Sequence, residues 1–147
     1  MAHISMNSPI GPITVFAENE TIIALEWGRA SSIKKQEKNI LLEEARNQLN
    51  GYFDGRLKSF DLPLHPSGTK FQESVWNWLK CIPFGQTKTY KDGALILKNG
   101  PRAVGSACGR NPIPLFIPCH RVLNTSGSLG GFSAFNGVAT KKDLLYL

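Results

Sequence analysis

The chain has 147 residues, of which 41% are hydrophobic, enough to bury the core of one domain or of two small ones. No apolar run approaches the roughly 20 residues of a membrane helix, and the N-terminus lacks the apolar segment of a signal peptide, so we expect neither membrane insertion nor secretion. The three cysteines lack the spacing of a disulfide framework and no Cys/His pair has that of a zinc site, which favours a cytoplasmic protein without a metal.

The charge is distributed unevenly along the chain. Residues 1–66 contain seven Lys/Arg and eight Asp/Glu, whereas residues 67–147 contain ten Lys/Arg and only three Asp/Glu. The net charge of +6 therefore resides in the second part of the chain, as expected if a polyanion binds there. A basic surface that only maintains solubility is the alternative.

The first part of the chain is predicted to form a small sheet and one helix. Turn residues separate apolar, β-branched runs within residues 8–27, which predicts short strands at 13–16 and 22–25. Ser31-Ser32 is a candidate cap for a helix that continues to about residue 53, because apolar residues recur there at helical spacing. Prolines and glycines at 56–69 predict a connector, so we place the domain boundary near His65, between residues 1–65 and 66–147.

The second part is predicted to contain three helices. An apolar stripe over residues 71–79 predicts the first, Thr89 is a candidate cap for the second, and residues 102–109 form the third, which is rich in small residues. Two short helices joined by a tight turn are typical of a helix-turn-helix. The small residues allow close approach to a DNA groove and predict weak sequence specificity; a tight helix contact inside a core is the alternative.

The reactive centre is predicted to be Cys119, which lies between Pro118 and His120. The apolar run 113–117 before it reads as a buried strand that ends at Pro118, which has no N–H to continue a ladder. A neighbouring imidazole can lower a thiol's pKa or relay its proton, and the thiolate is the nucleophile. A small core residue beside an incidental histidine is the simpler alternative. Residues 124–131 are predicted to be a loop, and a short helix starts at Lys141.

These residues together resemble the O6-alkylguanine-DNA alkyltransferases, also called methylated-DNA–protein-cysteine methyltransferases. The resemblance covers nearly all of residues 48–145, and its most specific motifs are Arg102-Ala103-Val104-Gly105, Asn111-Pro112 and Ile117-Pro118-Cys119-His120-Arg121-Val122. It implies an α/β N-terminal domain with a small ribonuclease-H-like sheet and a mainly helical C-terminal domain with a winged helix-turn-helix. It also implies a monomer that transfers an alkyl group from O6 of guanine, less well from O4 of thymine, in double-stranded DNA to its own cysteine, once and without a cofactor.

The resemblance implies roles for individual residues. Cys119 would be the alkyl acceptor, His120 the base acting through a water, and Asn111 the amide that braces the cysteine segment. Tyr90 would turn the target phosphate and donate a proton to guanine N3, while Arg102 would fill the gap left by the flipped base. The remaining implied contacts are Phe132 and Ser133 in the alkylguanine pocket, and Ala103, Gly105, Gln72, Lys91 and Thr125 on DNA.

The chain departs from the family pattern at three places. Phe132 stands where relatives usually have tyrosine. The segment between Tyr90 and Arg102 is slightly shorter than usual, and the one following Phe132 is slightly longer. The family glutamate that orients the histidine would fall one residue beyond Leu147, so we expect a longer natural chain, or Asp143 or the Leu147 α-carboxylate in its place.

Three other functions are compatible with parts of the sequence. An alkyltransferase-like protein would recognise damage without repairing it, but such proteins lack the acceptor cysteine that is present here. A regulator that senses alkylation through its cysteine would need a further domain, for which 147 residues leave no room. A thiol hydrolase would need an oxyanion hole and a Cys-His-carboxylate set that the sequence does not supply. Alkyl transfer is therefore the favoured function.

Overall fold

The computed structural model describes residues 1–29, 39–130 and 137–147. The chain divides into two compact units, Met1–Pro66 and Ser67–Leu147. No helix among the described residues is both long and apolar enough to cross a membrane. The elements of the first unit are β1 (Ala2–Met6), β2 (Ile13–Glu18), β3 (Thr21–Trp27) and α1 (Ile40–Phe53). Those of the second are α2 (Lys70–Lys80), β4 (Lys88–Thr89), α3 (Tyr90–Leu97), α4 (Pro101–Gly109), a 3-10 turn (Cys119–Arg121), β5 (Val122–Leu123) and α5 (Val138–Leu145).

The first unit is an antiparallel sheet with strand order β1-β2-β3, against which α1 packs. The two predicted strands correspond to β2 and β3, whereas β1 was not predicted. In β1, Ile4 and Met6 are buried, and the strand pairs with β2 from Ala2↔Ala17 to Met6↔Ile13. The connector extends the sheet edge, because Ile22 exchanges backbone hydrogen bonds with Pro63 and His65, both 2.8 Å long.

The helix α1 starts at Ile40, so the predicted start at Ser31-Ser32 is wrong; those serines lie outside the described residues. Asn39 has an extended backbone, and its side chain accepts a hydrogen bond from Leu42 N at 3.1 Å. An asparagine in this position satisfies one of the unpaired N–H groups of the first helical turn, which fixes the helix start.

The core of the second unit is formed where α2 packs against α4 and α3. The indole N–H of Trp76 donates to the backbone oxygen of Ala107 at 2.9 Å, which ties α2 to α4. Gly93 on α3 lies so close to α2 that a Cβ placed there would be 2.8 Å from the Trp78 ring. The predicted stripe on α2 is therefore core.

The helices α3 and α4 form the predicted helix pair. Thr89 caps α3, as predicted, through a capping box in which Thr89 and Asp92 bond each other's backbone N–H groups. The helix α4 begins with Pro101 and buries Val104, Ala107 and Cys108, which recur at helical spacing. The opposite face of α4, with Arg102, Ser106 and Gly109, is exposed. The small residues of α4 thus allow a close helix contact on its buried face and leave little side-chain bulk on its exposed face.

Residues 113–117 form a buried turn, and the prediction of a strand there is wrong. Ile117 N donates back to Ile113 O at 2.9 Å, and Leu115 has a φ of 72°, which is uncommon for a non-glycine residue. Pro114 and Pro118 lack the N–H groups that a strand ladder requires. The chain therefore turns before Cys119 and only afterwards joins a short parallel pair, in which Val122 of β5 pairs with Lys88 of β4.

Candidate active site

Cys119 is the first residue of the 3-10 turn and is only 9% exposed. Its backbone N–H donates to Ile117 O at 2.8 Å, which fixes the cysteine at the end of the buried turn. Burial raises the pKa of the Cys119 thiol, while a hydrogen bond from Asn111 and the charge of Lys141 lower it. The neighbours of the sulfur therefore offset part of the effect of burial, and the pKa of the thiol remains raised.

Asn111 connects both ends of this turn. Its amide Nδ2 donates to Ile117 O at 2.8 Å, and its Oδ1 accepts from Ile113 N at 2.9 Å. The same side chain also hydrogen-bonds the thiol of Cys119. A single amide thus holds the turn closed and contacts the sulfur that the turn presents.

His120 is buried, with 1% of its surface exposed, and its Nδ1 atom has no hydrogen-bond partner in the described parts of the chain. Burial, followed by the charges of Arg121 and Lys141, lowers the His120 pKa to about 3. Neither of the expected replacement carboxylates bonds this nitrogen; Asp143 is exposed on α5. The imidazole is therefore neutral near pH 7, so it can relay a proton but holds one poorly.

The lowered pKa of His120 predicts a pH-dependent stability. Between its folded pKa of about 3 and its ordinary value of 6.5, the unfolded chain binds more protons, so stability is complete above pH 6.5 and is lost as pH falls. We expect this residue to contribute a slope of about 1.4 kcal/mol per pH unit within that range. Urea unfolding of the protein and of His120→Gln between pH 7 and about pH 4 measures the contribution as a difference of slopes. Parallel slopes would contradict it.

Tyr90 is the first residue of α3 and is half-buried beside α4. A Cβ added at Gly105 of α4 would lie 3.6 Å from the Tyr90 ring, in ordinary contact. Burial, followed by the charges of Cys108 and Cys119, raises the Tyr90 pKa to about 12. The phenol therefore stays protonated at neutral pH and can act as a hydrogen-bond donor.

The residues expected to contact DNA lie on several elements of the second unit. Arg102, Ala103 and Gly105 lie on α4, where Arg102 is exposed in the first turn. Lys91 is exposed on α3, and Thr125 is exposed in the turn after β5. The side-chain oxygen of Gln72 accepts from Thr69 N at 3.0 Å as part of the capping box of α2. Gln72 therefore has a structural task, in which its amide N–H groups take no part.

The expected pocket residues Phe132 and Ser133 lie outside the described residues. The segment before them is held in a compact form. Asn124 N donates to Ser128 O at 2.9 Å, Gly127 N donates to Asn124 O at 2.8 Å, and the Asn124 amide reaches the Ser128 hydroxyl. The predicted loop after β5 is thus a closed turn over residues 124–128.

Two residues of the site were not expected from the sequence. Lys141 of α5 is 1% exposed, donates to Leu129 O and lies 5.9 Å from the centre of the Tyr90 ring. Cys108 of α4 is buried, and burial, followed by the charge of Cys119, raises its pKa to about 12. The sequence signal for the burial of Lys141 is helical spacing, because Lys141 lies three residues before the buried Leu144 and so on the same face of the helix.

Within the described ranges, no group of three or more His, Cys, Asp or Glu side chains is arranged to hold a metal ion. The arrangement instead joins a buried thiol, a buried neutral imidazole, a bracing amide, a protonated phenol and a buried lysine. Such a set can present a thiolate to an uncharged electrophile.

Two family models together match almost the whole chain. Residues 1–66 match the 6-O-methylguanine DNA methyltransferase, ribonuclease-like domain, and residues 70–147 match the DNA binding domain of the same family. The methylated-DNA–protein-cysteine methyltransferase of Methanosarcina acetivorans is 42% identical, over all of this chain and 97% of that protein. The constitutive enzyme of that name from Bacillus subtilis is 34% identical, over 89% of this chain and 86% of its own.

Solved structures with the same fold include two proteins of related name. The crystal structure of Mycobacterium tuberculosis OGT in complex with DNA matches with a TM-score of 0.87 and 37% identity, over all of this chain and 92% of that one. The O6-methylguanine DNA methyltransferase of Methanococcus jannaschii matches with a TM-score of 0.72 and 29% identity, over 97% and 91% of the two chains. The first unit is thus the ribonuclease-like domain, and the second is the helical DNA-binding domain.

Proposed function

The chain belongs to the 6-O-methylguanine DNA methyltransferase family, and on that premise we propose that it repairs O6-alkylguanine in double-stranded DNA by direct transfer of the alkyl group to Cys119. The observation that carries the proposal is the Cys119 thiol itself, which lies buried at the end of a turn where burial raises its pKa and Asn111 and Lys141 partly offset that rise. The thiol is thus shielded from bulk water and has two neighbours that favour its thiolate form.

The transfer is a displacement at the alkyl carbon. The Cys119 sulfur loses its proton and attacks the carbon, the new sulfur–carbon bond forms as the carbon–O6 bond breaks, and guanine keeps the electron pair. The proton that left the sulfur passes by way of His120 and a water to the solvent side, and guanine gains one proton, so that a thioether and an unmodified base remain. Because nothing cleaves the thioether, each molecule acts once and requires no cofactor.

We assign supporting roles to the groups around the sulfur. Asn111 holds the turn 113–117 closed and so keeps the sulfur at a fixed place. His120 relays the thiol proton, a role that suits a buried neutral imidazole. Tyr90 donates its hydroxyl proton in a hydrogen bond to guanine N3, for which its raised pKa keeps it protonated. Phe132 and Ser133, which lie outside the described residues, are assigned by the family resemblance to contacts with the flipped base.

The DNA partner is bound through the second unit, whose sequence carries the positive charge. The exposed face of α4 is slim enough to enter a groove, and Arg102 in its first turn occupies the space of the flipped base. Contacts to the backbone come from Lys91, Gln72 and Thr125, while Ala103 and Gly105 permit the close approach. Residues 66–147 thus bind DNA and accept the alkyl group, and residues 1–65 form the N-terminal domain. The protein acts as a monomer in the cytoplasm, where it binds the DNA of the nucleoid.

A stoichiometry experiment tests this function. A duplex with one O6-methylguanine, labelled on the methyl group, is mixed with increasing amounts of the protein. We expect label to move from DNA to protein until one methyl group is bound per chain, and then to stop. Continued turnover would contradict self-alkylation, and lesion-preferring binding without transfer of label would make the protein an alkyltransferase-like recognition factor, the alternative that Cys119 disfavours.

A further inference from the structure

The helix α5 carries a lysine in the interior of the second unit. Lys141 is 1% exposed, whereas the adjacent Lys142 is exposed. The Lys141 ammonium donates to Leu129 O and lies 5.9 Å from the centre of the Tyr90 ring. Lysine is almost never fully buried unless its charge is paired. A group that balances this charge is therefore expected inside the site.

No carboxylate balances it in the part of the chain that the structure describes, where the one ion pair joins Arg56 and Asp54. The helix α5, which carries Lys141, packs against the 3-10 turn that begins with Cys119. The ionisable groups whose charges act on Lys141 are two thiols, Cys119 of that turn and Cys108 of α4. Burial lowers the pKa of Lys141, and both thiols oppose that effect. Burial likewise raises the pKa of each thiol, and Lys141 opposes it.

The other groups near the sulfur do not supply a positive charge to it. His120 is neutral, and Tyr90 stays protonated and uncharged. The guanidinium of Arg121 donates to Ile82 O at 2.7 Å and lies 5.7 Å from the centre of the Phe84 ring. Lys141 is accordingly the cation that acts on the thiol.

We propose that Lys141 is a positioning residue whose ammonium group is the counter-ion of the Cys119 thiolate, an inference that rests on the proposed role of Cys119 as alkyl acceptor. The pair is neutral overall once the thiol proton has left by way of His120. Lys141 keeps its own proton while the sulfur–carbon bond forms and the carbon–O6 bond breaks. Its bond to Leu129 O retains the ammonium after the sulfur has become an uncharged thioether.

The two thiols differ in the groups that act on them. Lys141 interacts with both Cys119 and Cys108, but only Cys119 also receives a hydrogen bond from Asn111. Amide and ammonium thus both oppose the effect of burial on the pKa of Cys119, whereas at Cys108 only the ammonium does.

The test is the pH dependence of Cys119 alkylation by iodoacetamide, a small uncharged electrophile, with the modified cysteine located by peptide mass. It compares the unaltered protein with Lys141→Met, Lys141→Arg and the matched control Lys142→Met. We expect Lys141→Met to raise the apparent pKa of Cys119 by at least about one unit, so that the rate at pH 7 falls about ten-fold and recovers at high pH. Lys141→Arg should keep most of the rate at pH 7, and Lys142→Met should match the unaltered protein.

Two outcomes overturn the inference: a Lys141→Met rate that falls by the same factor at every pH, which indicates a packing role, or an unchanged profile. If Lys141→Met does not fold, the pKa of Lys141 is measured instead by NMR on the unaltered protein labelled with ¹⁵N-lysine. Methylation of Cys119 by iodomethane removes the anion and should lower the Lys141 pKa; an unchanged value contradicts the pairing. Neither assay contains DNA. A failure of the proposed function would appear as absent methyl transfer from the duplex, whereas a failure of the Lys141 proposal would appear only in these two assays.

Discussion

A Cys119→Ala variant is expected to take up no detectable methyl group from O6-methylguanine DNA while still binding duplex DNA. The reason is that neither of the other cysteines can replace the missing nucleophile. Cys108 has a pKa of about 12, so only roughly one molecule in 10⁵ carries the thiolate at pH 7. Cys81 is exposed at the end of α2, outside the site. Alanine fills a buried position without adding an unpaired polar group, so we expect the fold to be retained.

The measurement for this variant is the methyl label bound per chain, together with DNA binding by fluorescence anisotropy. Cys81→Ala is the matched control, because it removes an exposed thiol and should leave methyl uptake at one per chain. Uptake by Cys119→Ala at even a tenth of the normal level would assign the acceptor role to another residue.

An Arg102→Ala variant is expected to slow repair of duplex DNA about a hundred-fold while changing the reaction with free O6-benzylguanine less than about two-fold. Extruding a base from a duplex costs a few kcal/mol, and a side chain that fills the vacated space offsets part of that cost. Losing an offset of about 2.7 kcal/mol slows the reaction about a hundred-fold. The free base needs no extrusion, so Arg102 should matter little for it.

The two substrates are compared in single-turnover experiments on the same preparation. Arg110→Ala provides a control for the lost charge, because Arg110 is exposed at the other end of α4. It should weaken duplex repair only modestly, through reduced attraction of the phosphates. Equal losses of Arg102→Ala on duplex and free base would show that the arginine does not act in base extrusion.

The sequence was most informative where local rules decide the structure. Thr89 and Asp92 form the capping box that starts α3, and the apolar stripe over residues 71–79 marks the buried face of α2. The small residues of α4 predicted a helix that can approach a partner closely, and the structure shows Ala107 buried and Ser106 and Gly109 exposed. In each case the pattern repeats within one or two helical turns, so neighbouring residues suffice to read it.

The sequence was misleading where distant contacts override the local pattern. The apolar run 113–117 looks like a strand, but the Asn111 amide and two prolines close it into a turn. A serine pair is a good helix cap, so the sequence predicts too early a start for α1, whose cap is Asn39. In β1 the alternation of Ile4 and Met6 is too short to distinguish a strand from a terminal tail.

Lys141 shows a second kind of limit. A lysine followed by another lysine reads as solvated, and only its spacing to Leu144 hints that one of the two faces inward. Which charges it then meets depends on the return of α5 to the 3-10 turn, a contact between elements far apart in the chain. The burial of Lys141 on the helix that packs against the 3-10 turn was thus not accessible from sequence patterns.

The most direct test of the account is the intact mass of the protein after incubation with excess O6-methylguanine duplex, followed by peptide mapping. We predict a single methyl group in place of a hydrogen, located entirely on the peptide that contains Cys119, with the mass constant at longer times. A methyl group on Cys108, Cys81 or any other residue, or an unchanged mass with the lesion still present in the DNA, would contradict the assignment of Cys119 as the alkyl acceptor.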